Sequence, residues 1–373
     1  PVYYGYVRVY ESSGTPILGA TVGLIRPDGT VYGTYRTDAT GSTPLIPQVP
    51  AGSYILQTSH GGAFLSTTIT VNQNFDIQLL LGQLSIPYEN HVSALAYITN
   101  TEVKSYTYSQ TFRSLLIAVE CSEEPSFFSV FLTDTFLSQL GITIDDVHTL
   151  LDGELIGHTV DTYLGGYLLT ITHSICSPHD IEISFSSVTL VATLTDSNAI
   201  PLDGALVRAC RGQALIEEGY TNGSGRIVFT SLPSGHYTIS TFWLGVPVRN
   251  DQLTMTDDTT YEAAYSVYAL GVQVTDAFSE SLPGSSVTIY LPDGTVLTSG
   301  LTDQDGAITF HQLPIGHYTV VSGYFGFSNS ATVNLTENSA VQIQVPMLNI
   351  DTLFMLTIPP ILGFAFYGGW RKK

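Results

Sequence analysis

Lysine is nearly missing from this 373-residue chain, occurring only at Lys104, Lys372 and Lys373. Charged residues make up 12%, about half the usual share of about 25%. Acidic residues outnumber lysine and arginine by 32 to 12, for a net charge of −20. Nucleic-acid binding requires a basic footprint that displaces counterions from phosphates, and this composition excludes it. Cysteine is scarce too: Cys121, Cys176 and Cys210 form no CxxC pair, which argues against a thiolate-rich zinc site. A nucleophile elbow, a zinc-protease helix motif, a phosphate loop and a dinucleotide fingerprint are all lacking. The expectation is a protein with no catalytic residues, no metal and no cofactor. No signal peptide is visible at Pro1, so a secreted form is expected to have shed its leader.

What is present suits a row of packed domains. Hydrophobic residues reach 44%, enough for a core in each of the three or four domains that this length allows. Uncharged polar side chains must then cover much of the surface. Glycan cover, broad protein contacts or an acidic habitat each fit such a surface.

One pattern occurs three times. Its first copy reads Pro16-Ile-Leu-Gly19-Ala-Thr-Val22, Thr37-Asp38-Ala-Thr-Gly41 and Val49-Pro50-Ala-Gly52-Ser-Tyr54. The second has Pro201-Leu-Asp-Gly204, Thr221-Asn222-Gly-Ser-Gly225 and Leu232-Pro233-Ser-Gly235-His-Tyr237. In the third, Leu282-Pro-Gly284, Thr302-Asp303-Gln-Asp-Gly306 and Leu313-Pro314-Ile-Gly316-His-Tyr318 follow in the same order. The first landmark glycine precedes the tyrosine by 35, 33 and 34 residues. Between landmarks the chain alternates with period two, as in Ala307–Phe310, which predicts half-buried antiparallel strands. Thr-Asp/Asn…Gly reads as a turn, as do Asp28-Gly29 and Asp293-Gly294. Tyr54, Tyr237 and Tyr318 read as corner residues that bury a ring and bond the nearby backbone.

These residues resemble carboxypeptidase-regulatory-like and Cna-B-type domains, which are transthyretin-like, immunoglobulin-like Greek-key sandwiches of surface proteins. The resemblance implies an all-β chain of tandem sandwiches at residues 1–82, 188–268 and 269–348, serving as spacers, stalks or binding surfaces. The internal Lys–Asn isopeptide bond of some Cna-B domains is not expected, since none of the three copies contains lysine. Residues 83–187 lack the repeat and read as a divergent β-rich domain, similar to β-domains of archaeal surface proteins. Strands are predicted at 115–119, 167–171 and 180–185, a hairpin about Asp152-Gly153, and a short helix over 134–140 capped by Thr133 or Asp134.

His148, His158, His173 and His179 gather in the middle segment without ligand spacing, and read as isolated polar residues at strand ends. Asp303-Gln-Asp305-Gly306 looks like a truncated calcium loop, but lacks the closing glutamate, so a turn explains it. His236 and His317 share one repeat position and so read as packing residues. Asn222-Gly-Ser224 and Asn334-Leu-Thr336 are glycosylation sequons. Cys121 and Cys176 fall in one segment and can pair as a disulfide; buried free thiols are the other reading. Phe242-Trp243-Leu244 and Tyr324-Phe325-Gly-Phe327 can form an adhesive patch, although an aromatic run in a sandwich strand is ordinarily core.

From Leu353 to Trp370 no residue is charged, and Arg371-Lys372-Lys373 follow. As a helix these 18 residues span about 27 Å, close to a bilayer's hydrocarbon core, with the basic end inside. Pro359 and Pro360 interrupt such a helix. Residues 349–373 are therefore expected to be either a membrane anchor or an element that packs on a neighbouring subunit. The expected function is a non-enzymatic extracellular structural protein. It would be a subunit of a filament, surface layer or appendage, or a membrane-anchored stalk, with itself or other surface proteins as partners. The alternative is an adhesin that binds glycan or protein through sandwich loops.

Overall fold

The computed structural model describes residues 1–60, 63–88, 91–120, 126–163, 165–173 and 177–346. The described chain is built almost wholly of strands. In the first copy these are β1 (Val2–Glu11), β2 (Thr21–Ile25), β3 (Val31–Arg36), β4 (Ile46–Pro50), β5 (Gly52–His60), β6 (Ala63–Val71) and β7 (Phe75–Tyr88). The middle segment carries β8 (His91–Thr99), β9 (Glu102–Ser109), β10 (Ser114–Glu120), β11 (Ser126–Thr133), α1 (Asp134–Leu140), β12 (His148–Leu151), β13 (Glu154–Leu155), β14 (Thr159–Tyr163), β15 (Gly166–His173) and β16 (Pro178–Ser184). The second copy has β17 (Val188–Asp196), β18 (Leu206–Arg211), β19 (Ala214–Tyr220), β20 (Arg226–Leu232), β21 (Gly235–Trp243), β22 (Val246–Met255) and β23 (Thr259–Tyr265). The third has β24 (Val267–Thr275), β25 (Ser286–Tyr290), β26 (Val296–Leu301), β27 (Ala307–Pro314), β28 (Gly316–Tyr324), β29 (Phe327–Leu335) and β30 (Ser339–Gln344).

Each copy places a three-stranded layer over a four-stranded one, in one topology. The orders are β4-β1-β7 over β3-β2-β5-β6, β20-β17-β23 over β19-β18-β21-β22, and β27-β24-β30 over β26-β25-β28-β29. First and last strands pair in parallel in every copy, while the other pairs are antiparallel. Alternation drives the layering. Along β17, for instance, buried and half-buried residues alternate over all nine positions, so every second side chain enters the core. Leu190, Val207, Phe229, Tyr237 and Ile239 fill the second core, and Leu270, Val287, Phe310, Tyr318 and Val320 the third.

The middle segment has a core of its own, around Leu115, Ile117, Phe128, Val130, Phe136, Ile181 and Phe185. Its helix is α1, with the Thr133 side chain accepting from Phe136 N and Gly141 closing the last turn at φ 70°. It is not set apart from the first copy at residue 82, where the repeat pattern ends. Strand β7 runs through that point and joins both units in one seven-stranded sheet, β14-β15-β11-β8-β7-β1-β4. Gly82 is no break: the ring of Tyr97 lies against it, where a side chain would collide. Leu79 packs in the first core and Leu84 in the middle one. Between the second and third copies only Ser266 separates β23 from β24. Among the described residues, no helix is long and apolar enough to cross a membrane.

Candidate functional site

The repeated landmarks form one bonded device in each copy. Thr37, Thr221 and Thr302 are buried, and their hydroxyls donate to the carbonyls of Ile17, Leu202 and Leu282. The same oxygens accept from Ala20 N, Ala205 N and Ser285 N, each at 2.9 Å. The next residue caps the turn: Asp38, Asn222 and Asp303 each accept from backbone N–H groups two and four residues on. Asp303 is thus committed to Asp305 N and Ala307 N, as a turn residue. Tyr54, Tyr237 and Tyr318 stand third in β5, β21 and β28, and donate to the carbonyls of Pro50, Pro233 and Pro314 at 2.9, 2.6 and 2.6 Å. Burial raises the Tyr318 phenol to about 12 and the Tyr237 phenol above its ordinary value, so both remain donors.

A second cluster lies in the middle segment. Asp152 and Gly153 make the two-residue turn between β12 and β13 at φ 52° and 87°. Asp152 Oδ2 lies 2.6 Å from His179 Nδ1, and His179 Nε2 lies 2.7 Å from Ser177 Oγ. Asp152 Oδ1 accepts from Asp180 N. Partial burial works to raise the Asp152 carboxyl, but the Asp180 N–H and His179 outweigh it and hold it below the ordinary value. The connectivity follows that of a Ser-His-Asp relay. Sequence reading missed it, although Ser177 and His179 lie two residues apart at the start of β16, a spacing that shares one face of a strand. Burial lowers His148 and His158, and His158 Nδ1 meets Thr149 Oγ1 at 2.9 Å. His173 stacks edge-on to His179 at 5.4 Å. Among the described residues, no three histidine, cysteine or acidic side chains gather as metal ligands.

The junctions between units are bonded as well. Ser186 Oγ donates to Ser234 Oγ, Ser234 N donates to Ser186 Oγ, and Ser234 Oγ donates to the Phe112 carbonyl. Arg211 Nη2 meets both oxygens of Glu182 at 3.1 Å with both side chains largely buried. Between the second and third copies, Trp243 at the tip of the β21–β22 hairpin donates its indole N–H to the Gln312 carbonyl at 2.6 Å. The Gln312 amide reaches back to Asp196 Oδ2 and the Pro201 carbonyl. The expectation of aromatic core runs holds for Trp243, 7% exposed, but not at the corresponding tip of the third copy. There Phe325 is 76% and Phe327 50% exposed, because a hairpin tip projects past the layers that would cover it.

Other predicted positions are separate. Asn222 is exposed in its turn and Asn334 is exposed on β29. His236 and His317 are both second in their strands; the former meets Thr254 Oγ1 and the Phe112 ring. Cys210 is half-buried and free. Cys121, Cys176, Leu353, Pro359, Pro360, Trp370, Arg371, Lys372 and Lys373 lie outside the described residues.

Residues 269–348 match the family model of the carboxypeptidase regulatory-like domain. No curated protein matches the chain. Among solved structures it is similar to the TIE protein of Bacillus anthracis, with 12% identity over 92% of this chain and 50% of that one at a TM-score of 0.21. GBS52, a minor pilin of Streptococcus agalactiae, shows 14% identity over 43% of this chain and 97% of that one, at 0.29. BcpA, the major pilin subunit of Bacillus cereus, shows 11% over 93% and 99%, at 0.21. The chain spans half the length of the Bacillus anthracis protein. Superpositions this loose carry no argument about function, and they lend no support to an archaeal resemblance. Residues 269–348 match the carboxypeptidase regulatory-like domain, and the first and second copies share that region's strand topology and tyrosine corner.

Proposed function

We propose that this chain is a non-enzymatic extracellular structural protein, a subunit of a surface assembly or a membrane-anchored stalk, with itself or other surface proteins as partners. The observation that carries this reading is the serial arrangement. Three sandwiches of one topology follow in series. The first is joined to the middle segment through a shared sheet, and the later units are joined by short linkers whose flanks are bonded across, as at Ser186–Ser234 and Trp243–Gln312. Such bonding resists bending and suits a spacer. The units proposed are 1–82 and 83–187, two cores on one shared sheet, then 188–268 and 269–348, with 349–373 as the hydrophobic attachment, in a bilayer or against a neighbouring subunit. Asn222 and Asn334 are proposed glycan sites, and Cys121–Cys176 a proposed disulfide. Electron microscopy of the purified chain and of a version ending at Asn349 tests the reading. The full chain should form filaments or sheets, or sit on membranes, and the shortened chain should come off membranes and lose any assembly that residues 349–373 make. Dispersed full-length chains without affinity for membranes overturn it.

The exposed tip at Phe325 and Phe327 favours a second reading, an adhesin that takes glycan or protein there. The Ser177–His179–Asp152 relay invites an enzymatic test of the non-enzymatic reading. A fluorophosphonate probe should leave Ser177 unlabelled, and labelling abolished by Ser177→Ala would reverse it.

A further inference from the structure

The junction between the second and third copies has a plug and a socket. The plug is the two-residue turn after Trp243, with Leu244 at φ 51° and Gly245 at 79°. The socket is Gln312, set at φ 55° in the bulge where β27 slips against β24 between Tyr268 and Leu270. A bulge leaves a carbonyl out of the ladder, and here that carbonyl takes the indole N–H.

Plug and socket recur elsewhere in the chain. Tyr324-Phe325-Gly326 repeats the plug residue for residue, with Phe325 at φ 45° and Gly326 at 85°, and Tyr324 in the place of Trp243. Gln48 repeats the socket: it is again glutamine, at φ 56°, in the bulge between Tyr3 and Gly5 of β1. The second copy breaks the pattern in a telling way. Its bulge residue is Ser231, at φ 57°, and the unit before it is the middle segment, whose Tyr163 at the end of β14 is hydrogen-bonded to Ser66 and not to a bulge. The first copy, which precedes that segment, ends β5 in His60 instead of an aromatic residue. At the junction where two repeats meet directly, an aromatic tip faces a glutamine bulge. One tip and one bulge of this matched type are exposed: Phe325 is 76% exposed, and Gln48 lies on the surface. Among the described residues, neither the Tyr324 hydroxyl nor the Gln48 side chain makes a hydrogen bond to another residue.

We infer that the Tyr324–Phe327 tip of one chain docks on the Gln48 bulge of a second copy, reproducing between chains the contact that Trp243 makes with Gln312 within one. Tyr324 Oη then donates to the Gln48 carbonyl, and the Gln48 amide reaches the Ser281 region, the counterpart of Pro201. Phe325 and Phe327 leave water against the bulge. Tip and bulge lie on different sandwiches, so the contact is heterologous and propagates head to tail into an open strand. This inference rests on the surface-assembly reading and names its contact.

Sedimentation velocity on the full chain tests it through two complementary variants. Phe325→Ser with Phe327→Ser removes the plug, and Gln48→Arg obstructs the socket; both sites are exposed, so folding is spared and circular dichroism confirms it. Wild type should grow in mass with concentration. Each variant alone should remain a monomer, and an equimolar mixture should form a dimer that grows no further, because only one plug and one socket remain. Variants that assemble like wild type overturn the inference while leaving a surface assembly through other faces intact. A wild type that stays monomeric, whether its tip is covered by its own residues 349–373 or by nothing, overturns the inference and self-assembly together. Membrane attachment is then read separately by vesicle flotation.

Discussion

At the scale of single residues, the most informative side chains are those whose polar atoms have no other partner. Thr221 holds two backbone groups at once, the Ala205 N–H and the Leu202 carbonyl, at a buried site. Thr221→Val keeps the shape and removes both bonds, leaving the Ala205 N–H buried and unsatisfied. The expected cost is about 1–3 kcal/mol, read as a lower urea midpoint for the second sandwich. The sequence showed Thr221 as part of a turn motif. It could not show that the hydroxyl closes on residues some twenty positions earlier, since that contact exists only after the strands pair. Asp152 makes the complementary case for charge. Its carboxyl is held low by the Asp180 N–H and His179, so its contribution is complete above the unfolded value of about 3.9 and is lost as pH falls through the lower folded value. Asp152→Asn keeps the turn conformation and the bond from Asp180 N but removes the titration. Wild type should be the more stable near neutrality, and the difference should vanish in acid, as urea midpoints at several pH values would show. A constant difference would mean that the contact owes nothing to the charge.

Among elements, legibility followed locality. Helix α1 and the Asp152-Gly153 hairpin were readable because a cap or a two-residue turn is written in adjacent residues. The strands were readable from alternation, and the three copies from recurring glycines, of which Gly306 shows why glycine is required. It sits at φ 70°, where an added Cβ would lie 2.7 Å from the Val274 carbonyl. The bulges at Gln48, Ser231 and Gln312 were not readable. A left-handed backbone at a residue with a side chain is imposed by the slip of one strand past its neighbour, and no local propensity announces it. Nor was the continuity of β7 readable: the repeat stops at residue 82, but nothing there stops a strand. The Ser177–His179–Asp152 contact escaped for the same reason as Thr221, because Asp152 lies 27 residues from His179 in sequence.

For the whole molecule, the question is what fixes one sandwich against the next. Ser266 alone links the second and third copies, and a single residue leaves two soft dihedrals. Val267, the first residue of β24, packs into the second core, and Trp243 with Gln312 closes the other side of the joint. Trp243→Phe separates these contributions, because the ring still fills its place in the second core while the indole donor is lost. The expected loss is about 1 kcal/mol, the usual net value of one hydrogen bond, and it falls on the junction instead of on either fold. Thermal unfolding should therefore change little. Small-angle scattering should show a broader spread of distances between sandwiches, and a protease should cut faster at 265–267. Gln312→Ala removes the amide contacts to Asp196 and Pro201 and should act in the same direction. If neither variant alters scattering or cleavage, Val267 and the short linker alone set the angle. The plug and socket would then be a consequence of the packing and not its cause, and the same contact between chains would be too weak to build a strand.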